Sequence, residues 1–209
     1  MFVEWLRLVQ QGLYLARGKQ RDENKGIMIT GEHGIIRFPE PDDALFLRQL
    51  YVAGPKRAAL LDPRREPLMP TMREIREMLA RKDAAQGLMY TVEDTTGVLR
   101  GWCGLRGINY EARYAELVLL FADETRYHAA IADEPLDFLL ARAFTQLRLY
   151  KVVALCLDTE THLSQYLERR SFVCVGAQRQ ALFSGGAWHD LRTYALTAHS
   201  CAPSGATNP

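Results

Sequence analysis

Apolar residues along this chain switch between helical and alternating spacing, and the switches mark its elements. Phe2, Val3, Trp5, Leu6, Val9, Leu13 and Ala16 fall near helical spacing, so residues 1–25 read as an appended helix with a polar, glycine-containing linker. Two short strands follow, Ile27–Ile29 and Gly34–Phe38, joined by a turn over Thr30–Gly34. Pro41-Asp42-Asp43 opens a helix whose apolar stripe is Ala44, Leu45, Leu47, Leu50 and Tyr51, and Gly54-Pro55 stops it. The segment 61–70 holds three prolines and reads as an irregular loop. Thr71 and Glu74 then form a capping box for a second helix, with Met72, Ile75, Met78 and Leu79 buried, running to about Asp83.

Leu88–Glu93, a turn at Asp94–Gly97 and Val98–Leu105 predict a hairpin, and Tyr114–Phe121 a third strand. An irregular loop spans 122–132. Asp133-Glu134-Pro135 starts a helix that turns Leu136, Leu139, Leu140, Ala143, Phe144 and Leu147 inward. Lys151–Leu157 is a continuous apolar run of β-branched character, predicting a central strand covered on both faces. A short helix over Thr161–Arg170, a strand from Phe172, a turn at Ser184–Gly186 and a strand over Leu191–Leu196 close the domain. The class is α/β (α+β), with one domain over 26–198 and a small polar tail over 199–209 that frays.

Composition narrows the partners. With 26 Lys and Arg against 25 Asp and Glu, the formal charge of +1 is too small for binding driven by a nucleic-acid backbone. Cys103, Cys156, Cys174 and Cys201 show no zinc-ligand spacing, so no metal is expected, and the first three, set in apolar runs, read as reduced buried thiols. That usage and the absence of a basic n-region or an 18-residue apolar window predict a cytoplasmic protein without a membrane span. The apolar face of the appended helix could dock on the domain, meet a second subunit in a homodimer, or lie on a membrane surface.

The stretches Ile36–Leu47, Tyr114–Leu117, Ala143–Ala154 and Leu167–Val173, with the closing segments Gly176–Arg179 and Gly186–Leu196, resemble, in that order, the GNAT N-acetyltransferases. The branch they are most similar to is that of the ribosomal-protein N-terminal acetyltransferases. The resemblance covers about residues 35–198 and implies a GNAT fold, a mixed sheet of about six to seven strands flanked by about four helices. It also implies transfer of an acetyl group from acetyl-CoA, as co-substrate, to a primary amine of a small molecule or a protein N-terminus. The alternative is a GNAT-fold protein that has lost transfer and serves as a binding or assembly module.

In that family two splayed strands receive the pantetheine arm on freed backbone groups, here of Leu119, Leu120 and Phe121. The diphosphate sits on the next loop, where the matching stretch is Arg126, Tyr127, His128, Ala129, Ala130, Ile131 and Ala132. Ala130 replaces the family's first glycine, an obstacle if the backbone there must be left-handed. The resemblance makes Glu116 the base that takes the ammonium proton. Tyr166, one position from the family's tyrosine, or Ser164 is the acid for the departing thiolate. The family's asparagine before this helix is replaced by Glu160 or Thr161.

Overall fold

The computed structural model describes residues 27–52, 57–61, 70–80 and 87–199. The appended helix and its linker, most of the proline-rich loop, the end of the second helix and all but the first residue of the tail lie outside them. Strand β1 (Ile27–Thr30) folds back on β2 (Gly34–Arg37). A 3-10 turn over Pro41–Asp43 leads into helix α1 (Ala44–Val52), and α2 (Met72–Ala80) follows. The capping box forms as expected: Thr71 N donates to Glu74 Oε2 at 2.7 Å, and Glu74 N to Thr71 Oγ1 at 3.3 Å.

Strands β3 (Leu88–Asp94), β4 (Leu99–Asn109) and β5 (Tyr114–Phe121) form an antiparallel meander. Helix α3 (Asp133–Ala141), extended by one π turn over Arg142–Gln146, crosses to β6 (Lys151–Leu157), which lies parallel to β5. Helix α4 (Thr161–Arg169), β7 (Val173–Ser184) and β8 (Ala187–Thr197) complete the described chain. The single sheet has the order β1-β2-β3-β4-β5-β6-β8-β7. Among the described residues its strands number eight, above the expected six to seven, because the β1–β2 hairpin and the long closing hairpin both join it.

Alternation along β5 sorts the two layers. Leu117, Leu119 and Phe121 enter the large core with α3 and α4, whereas Val118 packs with Trp102 against Leu47 of α1 and Ile75 of α2. The β2 end is tied by a buried charge cluster. Arg37, 2% exposed, bonds both Asp43 oxygens at 2.8 Å and Glu93 Oε1 at 2.7 Å.

Two sequence expectations change. Cys174 is exposed, because β7 is the edge of the sheet and residues 173–180 are covered on neither face. Strand β6 sits centrally but buries one face more fully, with Lys151, Val153 and Leu155 only half-buried.

Candidate functional site

The parallel β5–β6 ladder runs from Tyr114–Lys151 to Leu117–Ala154 and then stops. Both strands continue on their outer sides. β5 stays paired with β4 through Phe121–Gly101, and β6 with β8 through Leu157–Leu191. The result is a wedge inside the sheet, open toward the C-terminal ends of both strands. Leu117, Leu119, Ala154 and Leu155 line it from the strands, Leu163 and Leu167 from α4, and Ala59 from across the mouth.

A strand that loses its neighbour leaves backbone acceptors to be satisfied. Here side chains take them. Tyr127 Oη donates to the carbonyl of Leu119 at 2.8 Å, and Arg57 Nη1 to that of Phe121 at 3.3 Å. Tyr127 is 1% exposed, with its ring edge-on to Phe121 at 5.3 Å and tilted against Tyr166 at 5.7 Å. Burial pushes its hydroxyl pKa far above the ordinary phenol value. Leu120, of opposite parity, faces away from Leu119 and is buried.

The segment around the 3-10 turn Ala58–Leu60 crosses the wedge mouth. Arg57 pairs with Glu124 at 3.0 Å, Ala58 N donates to Glu160 Oε2 at 3.0 Å, and Ala59 O accepts from Arg106 Nη1 at 2.9 Å. Glu160 Oε2 also accepts from Leu157 N at 2.8 Å. The Glu160 carboxyl is 3% exposed, and burial raises its pKa despite these two bonds.

The loop after β5 forms two 3-10 turns, Glu124–His128 and Ala130–Ala132, the first capped by Asp123, whose side chain accepts from Thr125 N at 3.0 Å. No left-handed residue is needed: Ala130 lies outside the positive-φ set, so its Cβ meets no backbone penalty here. The amides of Ala129 and Ala132 close onto Arg126 and Ala129 carbonyls. The first turn of α3 carries Asp133 and Glu134. Arg170 pairs with Asp133 at 2.9 Å and with Asp137, and Glu134 Oε1 accepts from His33 N at 2.9 Å. These carboxylates suit the positive helix end and leave it a poor seat for a second anion. On the exposed rim, His128 Nε2 meets His162 Nδ1 at 2.8 Å, linking the loop to α4, with Arg126 alongside in the same turn.

The expected chemical groups fall into two places. Glu116 shares the α1/α2 face of β5 with Val118 and pairs with Arg106. Ser164 and Tyr166 belong to α4 on the other face. Ser164 Oγ donates to Thr161 O at 3.0 Å, and Tyr166, fully buried, donates its hydroxyl to Ala132 O at 2.8 Å. Burial raises the Tyr166 pKa well above the ordinary value. Arg57, Arg106 and Glu124 escaped sequence reasoning, since none sits in a motif. Glu160 entered only as a missing asparagine.

No family model matches the sequence, and no curated protein matches it. Solved structures do. A spermidine/spermine N-acetyltransferase of Vibrio cholerae, 22% identical over 82% of this chain and 97% of its own, superposes with a TM-score of 0.68. A probable acetyltransferase, 24% identical over 83% and 98%, gives 0.68. The spermidine N-acetyltransferase of Vibrio cholerae in complex with CoA and spermine, 22% identical over 82% and 99%, gives 0.67. The chain has the GNAT fold. Within that fold β5 and β6 part beyond Leu117 and Ala154, and the loop over 122–132 follows β5.

Proposed function

We propose that the chain is an acyl-CoA-dependent N-acetyltransferase acting on a primary amine. The observation that carries this reading is the wedge between β5 and β6, which begins at the Leu117–Ala154 pair and gives a linear ligand a backbone edge inside the sheet. A small-molecule amine is favoured over a protein N-terminus by the similar fold solved with CoA and spermine.

The residues fit such a donor in part. A pantetheine arm carries secondary amides, and the carbonyls of Leu119 and Phe121 offer them acceptors once Tyr127 and Arg57 withdraw. The diphosphate fits poorly at the N-terminus of α3, where Asp133 and Glu134 stand, so Arg126, His128 and His162 on the rim are its partners in this reading. Acetyl-CoA would supply an acetyl group activated as a thioester. On the α1/α2 face Glu116, oriented by Arg106, receives the proton of the acceptor ammonium through water. Tyr166, once released from Ala132 O, and Ser164 are the groups for protonating the thiolate.

A second reading, a binding module that no longer transfers acetyl groups, is favoured by one observation: both wedge carbonyls are already engaged by the chain's own side chains. Calorimetry with CoA and acetyl-CoA up to about 1 mM, where a site of about −4 kcal/mol registers, separates the two. Binding followed by acetylation of spermidine supports the enzyme; no heat with either ligand removes it.

A further inference from the structure

Two β5 carbonyls that would meet a ligand in the wedge are occupied from within, and one occupant is an aromatic side chain in a short turn. Tyr127 is held at four points. Its hydroxyl bonds Leu119 O, its ring lies between Phe121 and Tyr166, its carbonyl accepts from Arg169 Nη2 at 2.7 Å, and the next residue, His128, meets His162. Each of these links ties the loop to β5 or to α4, which line the cleft together with β6. The loop itself is built of two 3-10 turns of five and three residues, which have poor hydrogen-bond geometry and little internal cooperativity.

A phenol hydroxyl and a secondary amide N–H do the same work at a carbonyl: each supplies one donor. We propose that Tyr127 is a displaceable plug, a stand-in for the ligand, whose bond to Leu119 sets how readily the β5–β6 cleft opens. A linear ligand bearing an amide donor takes that carbonyl over when the turn Glu124–His128 swings away. The ligand half of this proposal rests on the transferase reading; the opening half does not.

Linkage gives the sign. A ligand that binds only the open form sees an affinity reduced by the fraction of molecules open, so weakening the plug tightens binding by the same factor. In Tyr127→Phe the ring stays while the bond is lost and Leu119 O is left unsatisfied in the closed form, which raises the open fraction. Arg169→Ala loosens the turn without touching the ring and guards against a fold defect peculiar to Tyr127→Phe.

Amide hydrogen exchange without ligand is the first readout. Residues 119–121 and 155–157 are expected to exchange about three- to tenfold faster in both variants, with β3 and β4 near Tyr90 and Cys103 unchanged. CoA titrated by calorimetry is the second, with apparent affinity rising by a similar factor. Faster local exchange with tighter CoA supports both halves. Faster local exchange with no CoA binding to any form keeps the plug and overturns the ligand assigned to it, together with the transferase reading. Unchanged exchange at the cleft, or an increase spread evenly over the sheet, overturns the plug itself.

Discussion

The backbone N–H of Phe172 closes onto the carbonyl of Leu167 at 2.9 Å, wrapping the chain around Ser171, which adopts φ 66°. Ser171 N donates to Glu168 O at 3.0 Å, so the end of α4 is a Schellman turn with serine at the position that glycine favours. A Cβ in the left-handed region costs about 1–2 kcal/mol, partly offset in the glycine variant by added unfolded-state entropy of about 0.5–1 kcal/mol. Ser171→Gly is therefore expected to stabilise the protein by about 0.5–1 kcal/mol. A urea midpoint that does not rise would remove strain at this turn.

Arg37 sits between two buried carboxylates, and its removal would strand both. Arg37→Met should destabilise by about 3–5 kcal/mol, the range for breaking a buried ion pair from one side. Chemical denaturation measures this directly, and a loss under 1 kcal/mol would mean that water or rearrangement satisfies Asp43 and Glu93.

Glu160 presents one oxygen to two amides, and the oxygen of glutamine can replace it. Because burial raises the folded-state pKa of this carboxyl, the folded form binds its proton more tightly than the unfolded chain. Its ionisation thus erodes stability as pH rises from the unfolded pKa through the folded one, while below both values the effect is absent. Glu160→Gln should be the more stable protein at pH 7.5, with its advantage shrinking toward pH 4. Parallel unfolding curves at the two pH values check the slope; an advantage that grows on acidification contradicts it.

Legibility followed the range of the interactions involved. The Thr71–Glu74 box, the Asp94–Gly97 turn and the strand–helix order are local and could be read from spacing. The exposure of Cys174 was not legible, since an apolar run looks the same on an edge strand as in a core. Nor was the pairing of Arg57 with Glu124 and Phe121 O, which joins segments more than sixty residues apart. The obstacle expected from the Cβ of Ala130 does not arise, because the 3-10 turns need no positive φ there, a geometry that the sequence pattern does not reveal.

Glu116→Gln keeps the shape of the side chain beside Arg106 and removes its capacity as a base. Under the transferase reading turnover should fall about a hundredfold or more with little change in unfolding midpoint. Spermidine acetylation at matched CoA saturation is the measurement; an unchanged rate dismisses Glu116.

Tyr166→Phe deletes the bond to Ala132 O, an expected loss of about 0.5–1.5 kcal/mol. If Tyr166 is also the acid, its turnover falls beyond what reduced stability explains. A normal rate at a lowered melting temperature would assign the hydroxyl to structure alone.

Because β5 keeps its ladder to β4 as far as Phe121, and β6 keeps its own to β8 as far as Leu157, widening the wedge breaks no strand pairing. Gly101 helps hold that outer seam: an added Cβ would sit 2.9 Å from Leu120 O. The sheet is thus two leaves, β1–β5 and β6–β8, bound along a spine of four residue pairs. A change in the angle between the leaves would carry the closing hairpin, with the free edge of β7, along with β6.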